Sequence, residues 1–310
     1  MEGFIGLTRS RITDGICSKS VALGRSEPQF ELEGNDVTEV NSTKSEAVTE
    51  PGDPILYEVR DGIARITLNR PEQRNALSFT LLRQLREVFA VAKRDSAVRV
   101  VVLQGAGDAA FCAGMDLRDV GDGTSDFVSL HEDRGLFASL FTDLWEMGKP
   151  TIARVQGWAL AGGFGLALSC DIVVASDRAR FGAPEINVGL WPHMITVPLA
   201  RAMPAKKVLE LMMTGRIVGA EEGERLGFVS KLVAPDGLDA AVDEYAALFA
   251  QKSSSVMKLG RDAFYTVWDM PFVEALKYLH ASLTLTASTN DAAEGISAFL
   301  EKRPPKWLDS

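Results

Sequence analysis

The 310-residue chain holds only three cysteines, Cys17, Cys112 and Cys170, and two of them sit inside apolar runs. So small and odd a number argues against a disulfide framework and for buried free thiols in a reducing compartment. No stretch approaches 18 consecutive apolar residues, so no membrane span is expected. Positive charge is scarce as well: 33 Lys and Arg against 42 Asp and Glu leave a net charge of -9. That balance argues against nucleic acid as a main partner, although a few local cations would suffice for an anionic ligand. The histidines and cysteines show no metal-ligand spacing, neither H-E-x-x-H nor paired C-x-x-C, so no metal site is expected. There is no P-loop, no G-x-S-x-G and no G-x-G-x-x-G after a strand. Phosphoryl transfer, serine hydrolysis and dinucleotide binding therefore lack support.

What is present is apolar material, 46% of the chain, enough for one large domain or two modest ones. Residues 1–54 stand apart. Between Glu31 and Asp53 there are seven acids and a single base, Lys44, with no apolar period, which predicts a disordered N-terminal extension. Residues 1–25 carry Arg9, Arg11, Lys19 and Arg25 among serines, but also Glu2 and Asp14, whereas transit peptides are poor in acids. A cytoplasmic location is expected, with a mitochondrial one as the alternative if residues 1–25 act as a transit peptide.

From Pro54 the pattern is regular. Ile55–Arg60 and Ile63–Leu68 alternate around Asp61-Gly62, a hairpin signal. Ser78 is placed to cap a helix with apolar residues at Leu81, Leu82, Leu85, Val88, Phe89 and Ala92. Val98–Leu103 and Thr151–Val155 read as buried strands, Leu136–Met147 as a helix, and Ile172–Ala175 and Arg180–Phe181 as strands again. Such alternation predicts an α/β core over residues 55–200. Beyond it, Ala205–Met213, Leu238–Ala250, Ser254–Val267, Phe272–Leu285 and Asp291–Lys302 predict a helical region over 201–310.

The segment from Gln156 to Asp171 is a glycine-dense turn opening into a short apolar helix. Backbone N–H groups at such a start lack intrahelical partners and can stabilise negative charge. Fourteen residues further, Gly182-Ala183-Pro184-Glu185-Ile186 offers one carboxylate in apolar surroundings. Together they suggest proton transfer next to a carbonyl; a ligand-free helix–strand junction is the alternative. Asp116 and Asp171 read more readily as caps of local turns than as catalytic groups.

Four motifs in order, Asn69-Arg70-Pro71 with Arg74-Asn75-Ala76-Leu77, Ala110–Leu117, Gly157–Asp171 and Phe181–Glu185, resemble the crotonase (enoyl-CoA hydratase/isomerase) superfamily. The likeness covers about residues 55–310, including an ending, Gly295–Arg303, that looks like the family's last helix. It implies a crotonase-like spiral of ββα units with a helical C-terminal trimerisation region, assembled as a homotrimer or homohexamer. It also implies an acyl-CoA substrate, with coenzyme A belonging to the substrate and no separate cofactor. By motif position the backbone N–H groups of Met115 and Gly162 form the oxyanion hole, favouring a thioester enolate. Arg74, Asp116, Leu117, Arg118 and Lys302 fall where the family binds coenzyme A, Lys302 reaching across to a neighbouring subunit. Trp158 and Trp191 are expected near the acyl pocket.

One departure bears on the chemistry. Hydratases of this family use two glutamates; one matches Glu185, and the other falls on Gly165, which has no side chain. A single glutamate resembles the isomerase branch, where one base moves a proton between C2 and C4. Burial beside Ile186 and Val188 is expected to raise the Glu185 pKa. His193 stands where related hydratases carry a glycine; it is the accessory acid/base if hydration persists in a rewired site, with a block to water or a plain packed or surface histidine as the alternatives. A non-catalytic acyl-CoA-binding oligomer is the remaining alternative.

Overall fold

The computed structural model describes residue 49 and residues 52–116, 118 and 126–308. The expected extension over 1–54 falls almost wholly outside them, as do Cys17 and Leu117.

Strands β1 (Ile55–Arg60) and β2 (Ile63–Leu68) form the expected antiparallel hairpin, Ile55 opposite Leu68 and Arg60 opposite Ile63. Its turn residues Asp61 and Gly62 both take positive φ, 52° and 78°, the conformation that matches strand twist in two-residue hairpins. Helix α1 (Phe79–Arg94) starts where Ser78 Oγ accepts from the Leu81 N–H at 3.1 Å. Its Leu81, Leu82, Leu85, Phe89 and Ala92 are buried against the sheet.

The chain then alternates between two sheets. Strand β3 (Val100–Gly105) joins the first and β4 (Ala110–Cys112) the second, followed by helix α2 (Phe127–Trp145). Strands β5 (Thr151–Val155) and β6 (Trp158–Leu160) repeat this step, followed by helix α3 (Gly162–Leu168). The third step is β7 (Ile172–Ser176) and β8 (Arg180–Gly182), with a 3-10 turn at Pro184–Val188 and helix α4 (Thr196–Ala202). This is the spiral of ββα units.

The C-terminal third is not helical throughout. After helix α5 (Ala205–Thr214), strand β9 (Ile217–Gly219) pairs antiparallel with β8, and helix α6 (Ala220–Leu226) follows. Strand β10 (Lys231–Val233) then pairs with β7, so residues past 200 complete both sheets, ordered β1-β2-β3-β5-β7-β10 and β4-β6-β8-β9. Helix α7 (Leu238–Ala250) covers the outer face of the larger sheet: Leu238, Ala241, Val242 and Ala246 bury against Val100, Val102, Ile152 and Val174. Each of those large side chains contributes about 1.5–3 kcal/mol on burial. Val101 and Leu103 point the other way into the main core, so β3 is apolar on both faces.

Helix α8 (Ser254–Val267) is fastened to the core by Asp171, which does not cap its own turn as the sequence suggests. The carboxylate instead accepts from Thr151 N at 2.8 Å, Thr151 Oγ1 at 2.9 Å, Arg261 Nε at 2.9 Å and the Tyr265 hydroxyl, all distant in sequence. Helices α9 (Phe272–Ala287) and α10 (Asn290–Glu301) end the chain, and α9 has no buried residue. Among the described residues no helix is long and apolar enough to cross a membrane. Cys112 and Cys170 are buried free thiols.

Candidate active site

Two backbone segments meet to make the site. Leu77 forms a bridge with Met115, its N–H donating to Gly114 O at 2.8 Å while Asp116 N donates to Leu77 O at 2.9 Å. In this arrangement the Met115 N–H faces away from Leu77. Gly114 (φ 91°) lies against the second segment, since a Cβ on it would meet Ala161 Cβ at 2.8 Å and Gly162 N at 3.3 Å. Only glycine allows that approach.

Ala161 holds φ 50° and ψ -126°, an unusual conformation for a side chain-bearing residue, directly before the first residue of α3. Its N–H donates to Gly182 O at 2.9 Å, so the turn is pinned to the end of β8. From below, Phe164, Phe181 and Phe228 fix α3 with ring centroids 5.1 to 5.5 Å apart. Among the described residues neither the Met115 nor the Gly162 N–H donates to a protein acceptor, which fits a pair of donors held for a ligand oxygen.

Glu185 is delivered three residues beyond Gly182. Pro184 starts the 3-10 turn, Leu190 N donates back to Glu185 O at 3.0 Å, and Gly189 ends it at φ 76°. Met115, Gly162, Glu185 and His193 all line one cavity of about 860 Å³, together with Phe79, Phe137, Trp191 and Ile195. Glu185 Oε2 is buried without a hydrogen-bond partner, and burial pushes its carboxyl above the ordinary range. The source of that desolvation differs from expectation. Ile186 and Val188 are 36% and 61% exposed, so the cavity walls, not the flanking residues, keep water from Glu185.

The coenzyme candidates lie elsewhere. Asp116 is buried between two arginines: Arg118 donates at 2.9 and 2.6 Å, and Arg70 Nη2 stands 3.7 Å away. The Arg118 guanidinium, with help from Arg70, lowers the Asp116 carboxyl to about 2. Arg118 N also donates to Asp116 Oδ1 at 3.2 Å, a local cap as the sequence suggests. Arg74 (φ 53°) and Lys302 (φ 56°) are exposed residues in the left-handed region, each at a helix C-terminus. None of Arg74, Asp116, Arg118 and Lys302 lines the cavity; Leu117 is outside the described residues. Trp191 lines the cavity, whereas Trp158 is exposed on β6 and does not.

Sequence reasoning missed the walls. Phe137 packs over Gly162, where a Cβ would meet its ring at 2.6 and 2.8 Å. Ile195 fills the space beside Gly165, where a Cβ would overlap its Cγ2 and come within 3.0 Å of Phe141 Cζ. Asn75 and Gln156 were also unforeseen as anchors: both amides donate to Ala110 O, at 2.8 and 2.9 Å, holding the β3–β4 connection under the site. A buried side-chain amide beside glycine carbonyls carries no periodic signal. Among the described residues no cluster of three or more His, Cys, Asp or Glu could hold a metal.

Residues 58–310 match the family model described as Enoyl-CoA hydratase/isomerase. An enoyl-CoA hydratase domain-containing protein 3, mitochondrial, of Xenopus laevis is 35% identical over 251 residues, covering 80% of this chain and 84% of the relative. The (E)-benzylidenesuccinyl-CoA hydratase of Thauera aromatica is 33% identical, covering 82% and 98%. Among solved structures, an enoyl-CoA hydratase of Mycobacterium smegmatis superposes with a TM-score of 0.79 at 33% identity, covering 82% of this chain and 99% of that one. The chain belongs to the enoyl-CoA hydratase/isomerase family and is a crotonase-type enzyme acting on acyl-CoA thioesters.

Proposed function

We propose that this enzyme isomerises the double bond of an enoyl-CoA thioester, with Glu185 as its single acid/base. The observation that carries the reading is the packing around Gly165: Ile195 and Phe141 occupy the space a second carboxylate would need. In the proposed reaction the thioester oxygen accepts from the Met115 and Gly162 N–H groups. Glu185 takes a proton from C2 of a 3-enoyl group, the electron pair moves to form the C2–C3 double bond, and the proton returns at C4. A desolvated carboxyl with a raised pKa suits both halves of that transfer. No cofactor is called for beyond the coenzyme A that the substrate carries.

Hydration by Glu185 with His193 is the second reading. Two observations favour it: His193 lines the same cavity, and relatives bear hydratase names. A homotrimer or homohexamer is the proposed assembly, supported by the apolar surface of α9 and α10, where Phe272 and Phe299 are 79% and 82% exposed. Arg74, Arg118 and Lys302 are proposed to meet the coenzyme's phosphates outside the cavity, with Asp116 holding Arg118 in place; Leu117, also proposed for coenzyme binding, lies outside the described residues.

The deciding experiment incubates the protein with a 3-enoyl-CoA and a 2-enoyl-CoA in deuterated water and follows products by mass spectrometry. Conversion of the 3-enoyl to the 2-enoyl thioester without hydroxyacyl product is expected. A hydroxyacyl product would show that Gly165 has been compensated and that the one-base mechanism is wrong.

A further inference from the structure

Arg134 has no task in the proton transfer, yet it lines the same cavity as Met115, Gly162 and Glu185. It is exposed at the rim, on α2. Its helical neighbours at i−4, i−3, i+3 and i+4 are Leu130, His131, Phe137 and Ala138, so the helix supplies no carboxylate. Nearby cations on α1 are committed otherwise: Arg83 pairs with Asp133, Arg86 with Asp143 and Lys93 with Glu146. Among the described residues Arg134 makes no ion pair or side-chain hydrogen bond. Nor is Glu185 its ion-pair partner, since Glu185 Oε2 is buried with no hydrogen-bond partner.

Position gives the guanidinium a direction. The ring of Phe137 lies over Gly162, whose N–H is the proposed oxyanion donor. Arg134 is three residues earlier on the same helix, about 4.5 Å along its axis. Both side chains line the cavity beside Gly162, so an acyl chain whose thioester oxygen sits at Gly162 can pass Phe137 and reach Arg134. Arg74, Arg118 and Lys302 lie outside the cavity lining, and among the described residues Arg134 is the only Arg or Lys in it. Much of the surrounding wall, including Phe79, Leu190, Met194 and Ile195, is apolar, and among the described residues that line it the His193 and Asn187 side chains could also donate to an anion.

We propose that Arg134 determines acyl specificity by pairing with a carboxylate on the acyl group, so that the preferred substrates are monothioesters of dicarboxylic acids. The assignment rests on the acyl-CoA site described above but not on the isomerase chemistry. A planar guanidinium can take a carboxylate through two parallel hydrogen bonds, which a methyl-terminated chain cannot offer.

The test uses the full-length protein and paired thioesters of equal chain length, one ending in a carboxylate and the other in a methyl group. Saturated pairs, which cannot turn over, report binding by calorimetry, and the matching 3-enoyl pairs report kcat and KM. The carboxylated saturated thioester is expected to bind about tenfold or more tightly than its partner. Arg134→Gln should abolish that preference while leaving the methyl-terminated thioester and free coenzyme A unaffected, and Arg134→Glu should reverse it. Equal affinities in the wild type would overturn the proposal. So would an Arg134→Gln loss that falls equally on both thioesters and on free coenzyme A, since that marks a coenzyme contact. A retained binding preference without turnover of any enoyl-CoA would sink the isomerase reading and leave the Arg134 assignment standing.

Discussion

Ile195 occupies the space that any side chain on Gly165 would need: a Cβ there would lie 2.9 Å from Ile195 Cβ and closer still to its Cγ2. Both residues are buried, and Ile195 separates Gly165 from the cavity that Glu185 lines. The missing second carboxylate is thus a packed arrangement of two residues, not a single deletion of a side chain.

Restoring the carboxylate alone should therefore fail. Gly165→Glu is expected to cost about 3 kcal/mol or more from overpacking and an unpaired buried charge, without creating hydratase activity. Pairing it with Ile195→Ala should recover part of the loss in thermal melts and give the first measurable hydration of a 2-enoyl-CoA. Full hydratase activity in Gly165→Glu by itself would refute the steric argument.

Glu185→Gln should lower kcat/KM by about 10²–10⁴-fold while leaving coenzyme A affinity near wild type. In the wild type the base must be ionised, so kcat/KM should rise with pH along a limb displaced above the ordinary glutamic acid value of about 4.3. The linked stability effect has the opposite sign. Burial makes the folded state bind this proton more tightly than the unfolded chain does, so stability falls as pH climbs from the unfolded pKa through the raised folded one. The glutamine variant should consequently melt higher than wild type at neutral pH and show no gain below the ordinary carboxylate range.

Asp171 and Arg261 provide a test of how α8 is held. The Arg261 side chain is 6% exposed and also donates to Trp145 O at 2.8 Å and Leu144 O at 2.7 Å. Asp171→Ala strands that charge, together with the Thr151 donors, and should cost about 3–5 kcal/mol in urea denaturation. A loss below about 1 kcal/mol would mean that the network is solvated and of little consequence.

The apolar face of α9 and α10 should vanish from solvent on assembly. Leu283→Asp combined with Phe299→Asp is expected to convert a trimer into monomers in sedimentation velocity, with the far-ultraviolet circular dichroism retained. A wild-type protein that sediments as a monomer would remove the proposed assembly outright.

Much of the fold was legible because the decisive signals are local. The hairpin, α1 with its Ser78 cap, and the bounds of β5, α7 and α8 follow from turn chemistry and apolar period. Strands β4, β6, β9 and β10 were missed, as were helices α4 and α6, since three to seven residues carry too little period. Helix α2 begins at Phe127, nine residues before the expected Leu136, because Asp126 caps it (Val128 N to Asp126 Oδ1, 2.9 Å) while its first turn shows no buried stripe. Arg134 lies in the overlooked stretch before Leu136.

The sequence by itself determined the two chemically telling segments, the glycine turn and the lone Glu185. Only special backbone geometry requires such a run of glycines, and a carboxylate in an apolar stretch is costly without a purpose. Tertiary structure alone decided what surrounds them. Phe137, Arg134 and Ile195 come to Gly162, Gly165 and Glu185 from other helices and loops, and no local rule of spacing relates them. Cavity shape, the block at Gly165 and the cation at the rim arise from packing between elements distant in sequence, which periodicity cannot encode.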